Sequence, residues 1–170
     1  MNIHPLFVHF PIGLLVTYSL CELIRVRALL KKLWWQRLKA VLVIFGTLWS
    51  YLTVITGIMA FNLVRAKSSR LSIIGIHKNF ALISLFIFTF IAVYYLLQIL
   101  RTSRWHNLSF LRWPILNWEW RGHVLFEELF IPLLALLGLV LIIITGGLGA
   151  AIVYGPNIDP FVNFIYSLFF

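Results

Sequence analysis

Four apolar runs, each about as long as a bilayer crossing, decide what this chain can become. They cover residues 5–24, 40–64, 80–100 and 125–154. A helix needs about 20 mainly apolar residues to cross the hydrocarbon layer. An unpaired backbone group there costs several kcal/mol, which leaves helices or closed barrels as spanning structures. The runs predict an all-α integral membrane protein, an up-down four-helix bundle. Residues 1–155 form the transmembrane domain. Residues 156–170 form an apolar, aromatic tail too short to span, expected to lie on the membrane surface or to cover the mouth of the bundle.

Composition supports this reading. Hydrophobic residues make up 62% of the chain and charged ones 11%, against about 25% charged in soluble domains. The net charge of +9 does not imply nucleic acid, because the basic residues lie between apolar runs and form no basic face on a soluble fold. The single cysteine, Cys21, excludes an internal disulfide and a Cys-Cys metal site, and reads as a small buried residue. The first basic residue, Arg25, follows the first apolar run. A signal peptide has the reverse order, so the first span is expected to be retained.

Orientation follows from loop charge. Arg25, Arg27, Lys31, Lys32, Arg37 and Lys39 lie between the first two runs, and Arg101, Arg104, Arg112 and Arg121 between the last two. Arg65, Lys67, Arg70 and Lys78 lie on the other side. The richer side is expected in the cytoplasm, with both termini outside a bacterial inner membrane. Trp34, Trp35, Trp105, Trp113, Trp118 and Trp120 sit in the basic loops. Indole rings favour the headgroup layer, and the 101–122 loop is expected to lie along the surface.

Sorted by depth, the polar residues gather at the outer end. His4 and His9 open the first run. Thr56, Gly57 and Asn62 close the second. His77, Lys78 and Asn79 open the third. Thr145, Gly146, Gly147, Gly149 and Tyr154 close the fourth. A histidine in hydrocarbon is costly unless something holds it. The first and third helices of an up-down bundle lie diagonally across its core, so His9 and His77 would face each other there. That arrangement suits two axial imidazoles on one haem iron. Gly13, Gly57, Gly146, Gly147 and Gly149 would let a flat macrocycle approach the backbone, although glycines serve helix packing in membranes equally well. His4 precedes Pro5, which disfavours helical geometry, and is expected at the helix mouth as a further contact or alternative ligand. The five-residue spacing turns His4 and His9 about 140° apart. Pro11 removes a helical hydrogen bond, and its kink is the expected means of aiming His9 inward.

At the inner end, His123 and Glu127 share a helix face, with Glu128 beside them. They read as an interfacial His–Glu pair, since a metal site needs more ligands than are evident. His106 lies in the loop. No Ser-His-Asp or paired-carboxylate arrangement stands out, and no catalytic residue is assigned.

The opening HPLFVHFPIGLL resembles the signature of a family of predicted bacterial membrane proteins, domain of unknown function 2231. Thr56-Gly57, His77 and TGGLGAAIVYGPNIDP follow in the family's order. Together they frame most of residues 3–160. The ending Gly149-Ala150-Ala151-Ile152-Val153-Tyr154 departs slightly from the family pattern, as does the long Trp-rich loop. Some relatives are fused to Rieske iron–sulfur or cytochrome-like domains, which implies redox work. The expected function is electron transfer by b-type haem between a membrane donor, such as a quinol, and an outer-side redox partner. Two other readings stand beside it: a structural or assembly subunit without cofactor, and a protein handling copper or zinc through His4, His9 and His77.

Overall fold

Long apolar runs propagate as helices, here even across Pro11, and the structure continues them into the flanking polar residues. The computed structural model describes residues 4–64, 71–102 and 126–170, with no strand among the described residues. Helix α1 is His4–Leu23, α2 Arg27–Leu30, α3 Leu33–Val64 and α4 Leu71–Thr102. A π-helical turn, Phe126–Phe130, leads into α5, Ile131–Tyr154, and α6 is Pro160–Ser167. At 1.5 Å per residue the 32-residue helices α3 and α4 run about 48 Å, beyond the roughly 30 Å hydrocarbon layer.

Three helices hold stretches long and apolar enough to cross a membrane, at residues 33–62, 71–100 and 128–154. The apolar part of α1, Phe7–Leu23, is shorter. Two helices start before the apolar runs do. Helix α3 begins at Leu33 and not near residue 40, so Trp35 and Lys39 stand on a helix and not in a loop. Helix α4 begins at Leu71, so His77 lies about 9 Å along it and does not open it. Both extensions add backbone hydrogen bonds one residue at a time once the helix exists. The Trp-rich loop, His106 and His123 lie outside the described residues.

Helix α1 packs against α3 and α5, and α4 packs against the same two helices. Between them lies a core of Leu15, Tyr18, Val43, Phe88, Ile91, Ala135, Leu141 and Ile142. Packing is close enough that a Cβ on Gly138 would sit 2.6 Å from the Phe88 ring. The outer surface stays apolar, with Phe10, Leu48, Ile58 and Phe86 all exposed. A lipid environment accommodates such a surface and water does not.

The tail turns at Gly155, whose φ of 97° is a conformation that favours glycine. Asp159 then caps α6, accepting a hydrogen bond from the Val162 amide at 2.8 Å, with Pro160 in the first helical position. Val162 and Ile165 are buried with Ile73, Leu148 and Ala151, and Phe169 meets Phe80 edge-on at 5.2 Å. The tail therefore docks onto α4 and α5.

Candidate functional site

Two polar centres interrupt the apolar interior, one at each end. At the first, His4 occupies the start of α1, where Pro5 is tolerated because the first amides of a helix have no internal partner. The Thr56 hydroxyl donates to the Thr53 carbonyl at 2.9 Å. It therefore accepts from His4 Nδ1, 3.1 Å away. On α4, His77 Nδ1 donates to the Thr145 carbonyl of α5 at 3.0 Å. A carbonyl can only accept, so the proton is on Nδ1. In both neutral rings Nε2 then carries the lone pair. The two imidazoles are close enough for a charge on one to act on the other.

Glycines back both rings. A Cβ on Gly57 would lie 3.1 Å from His4 Cε1, and one on Gly149 would lie 3.3 Å from His77 Cε1. Of the glycines expected to admit a macrocycle, Gly57 and Gly149 meet an imidazole directly. Gly13 and Gly146 are exposed with nothing near their missing side chains. Gly147 makes room for the tail, with Ile165 Cβ 2.9 Å from where its own Cβ would be.

His9 is exposed, so the structure brings His4, and not His9, to the side facing His77. The helix is continuous from His4 to Leu23 with Pro11 inside it, so the 140° separation persists and one histidine must face out. The sequence held a signal that selects between them. The interior stripe of α1 runs through Pro11, Leu15, Tyr18 and Glu22, all buried, at alternating spacings of four and three. Continued backwards it meets Val8 and His4 and misses His9.

The second centre lies at the basic end and was not anticipated. Glu22, on the last turn of α1, is 1% exposed, and Lys39 of α3 is 2% exposed. Lys39 Nζ donates to Glu22 Oε1 at 3.1 Å and lies 3.1 Å from Oε2. The Tyr95 hydroxyl of α4 donates to Oε2 at 2.6 Å, and the Lys39 ammonium lies 5.6 Å from the centre of the Tyr95 ring. One turn earlier on α1, the buried Tyr18 hydroxyl has no hydrogen-bond partner among the described residues, and neither has the buried Trp35 indole nitrogen. Beside the ion pair is a cavity of about 140 Å³, lined by Glu22, Lys39 and Tyr95 together with Arg25, Gln98 and Glu128. Of the inner group read from sequence, Glu128 is exposed and borders this cavity. His123 and the Glu127 side chain lie outside the described residues. Cys21 is half-buried and free.

Among the described residues no three histidine, cysteine, aspartate or glutamate side chains gather as a metal-binding group. Two imidazoles with fixed tautomers are what the histidine end offers.

No curated protein and no solved structure matches the chain. The family described as predicted membrane protein (DUF2231) matches residues 1–159, which takes in α1 to α5, both polar centres and the turn that leads to α6. With nearly its whole length matched, the chain belongs to the DUF2231 family of predicted membrane proteins.

Proposed function

We propose that this chain is a four-helix bundle of the bacterial cytoplasmic membrane, with both termini outside and α1 as its short fourth span. In this reading it holds a b-type haem between His4 and His77. One observation carries the proposal: two imidazoles from α1 and α4 have Nδ1 engaged by Thr56 and Thr145, which would make Nε2 the ligating atom of each. Metal-binding histidines are oriented in this way. The number of ligands supports haem over copper or zinc. Zinc takes three or four protein donors, whereas haem brings four nitrogens of its own and needs two axial groups.

The residues divide the work. His4 and His77 would hold the iron, Thr56 and the Thr145 carbonyl would fix the two rings, and Gly57 and Gly149 leave room for those rings. Surrounding apolar side chains would exclude water and so tune the potential. A haem held there would supply a one-electron couple, suited to carry electrons between a reduced membrane carrier of the quinol class and a partner at the outer face.

The test is the visible spectrum of protein produced with ample haem. A reducible two-histidine spectrum is expected in the wild type and in His9→Ala, with its loss in His4→Ala and His77→Ala. Loss on replacing His9 and retention on replacing His4 would return the ligand to His9. A colourless wild type with bound copper or zinc selects the metal-handling reading, and one without metal selects the structural subunit. A C-terminal reporter active only in the cytoplasm should be silent.

A further inference from the structure

The cavity at the basic end has the charge pattern of a binding site for an amine-bearing phospholipid headgroup. Its floor is the Glu22–Lys39 pair. Both Glu22 oxygens are engaged, by Lys39 and by Tyr95. An ammonium has three N–H donors, and the carboxylate can take two of them, so Lys39 keeps a donor for a further acceptor. The rim is bipolar. Arg25, just beyond α1, and Glu128, in the π turn, are both exposed and both line the space. The wall between is neutral, with Gln98 Nε2 donating to the Tyr94 hydroxyl at 2.6 Å. The volume of about 140 Å³ is that of roughly five waters at about 30 Å³ each.

Depth identifies the occupant. Exposed Lys31, Lys32 and Trp34 mark the headgroup layer at this end, and exposed Ile24 and Leu129 stand next to the rim residues in sequence. A phospholipid can lay its acyl chains on such apolar residues while its polar head enters the cavity. We infer that the cavity between Arg25, Lys39 and Glu128 binds the headgroup of phosphatidylethanolamine. The phosphate is held by the Arg25 guanidinium and the spare Lys39 donor, and the primary ammonium by the Glu128 carboxylate. A quaternary choline head has no N–H to offer that carboxylate, and a glycerol head has no cation. The inference is independent of the haem reading, because it uses none of the residues at the histidine end.

Native mass spectrometry of the delipidated full-length protein tests it, with phosphatidylethanolamine, phosphatidylcholine and phosphatidylglycerol added in equal amounts. Phosphatidylethanolamine should be retained roughly fivefold over the other two, the effect of one charge-assisted hydrogen bond at an exposed rim. Arg25→Gln should lower retention of all three lipids. Glu128→Gln should remove the preference for ethanolamine over choline, lowering phosphatidylethanolamine retention more than phosphatidylcholine retention. Both are exposed rim positions, so the fold should tolerate these changes. Equal retention of the three lipids by the wild type would overturn the proposal, as would an undiminished preference in Glu128→Gln. Soluble phosphoethanolamine should compete only in large excess. Competition at the lipid's own concentration would identify a free phosphomonoester as the ligand and defeat the lipid assignment.

Discussion

The two ends of this molecule solve the same problem differently. Both place polar side chains inside an apolar helix assembly. The histidine end uses neutral groups, each bonded to a threonine, and holds the rings against glycines. The basic end uses full charges and neutralises them against each other. Neutral rings with local partners can exchange those partners at modest cost. A buried ion pair cannot, since loss of one member leaves a bare charge in a low-dielectric interior. The histidine end can therefore give up its partners more cheaply, and the basic end locks α1, α3 and α4 into one register.

Breaking the ion pair gives the largest expected effect. Lys39→Met leaves Glu22 buried and unpaired and should cost about 3–5 kcal/mol. The double variant Glu22→Leu with Lys39→Met should recover most of that loss in thermal unfolding in detergent. His77→Ala, by contrast, removes one neutral hydrogen bond, worth about 1 kcal/mol. If Lys39→Met costs no more than His77→Ala, the distinction between the ends fails.

The next effect separates two tyrosines. Tyr95→Phe removes a donor to a charged carboxylate and should destabilise by about 1.5–3 kcal/mol. Tyr18→Phe removes a hydroxyl with no hydrogen-bond partner among the described residues and should leave stability unchanged or raise it. Equal losses at both positions would mean that Tyr18 also holds the carboxylate.

Smaller effects sharpen the histidine end. Gly57→Ala and Gly149→Ala crowd rings 3.1 and 3.3 Å from the new Cβ and should cost about 1 kcal/mol each, with a shifted haem spectrum if haem is bound. Gly146→Ala meets open space and should gain about 0.5–1 kcal/mol from helix propensity alone. A spectral change in Gly146→Ala without one in Gly57→Ala would move the haem away from the His4 ring and towards Gly146.

Depth was legible in the sequence and rotation was not. The levels of His4, Thr56, His77 and Thr145 follow from counting residues along apolar runs, and the structure joins them in hydrogen-bonded pairs. Which residue of each run faces inward depends on helix phase. Helices apolar on all sides give little phase signal, because lipid and core both accept leucine. His9 seemed the deeper and therefore the better ligand, but phase put it outside. Lys39 shows the opposite failure. It sat in a basic stretch and was counted towards orientation, yet it shares a stripe with Trp35, Val43 and Thr47, all buried at spacings of four. Its partner Glu22 lies on the α1 stripe seven residues beyond Leu15. Reading those two stripes together would have found the pair.

The hydroxyls between the two ends decide whether the molecule leaks. The Ser19 hydroxyl donates to the Leu15 carbonyl at 2.9 Å and Thr47 to the Phe88 carbonyl at 3.3 Å. Each is turned onto a helix backbone and away from any neighbour that could pass a proton along. Around them stand Leu15, Val43, Phe88 and Ala135, a dry layer with no relay between Glu22 and His4 among the described residues. A proton gained or lost at one end thus has no hydrogen-bonded path to the other through these two hydroxyls.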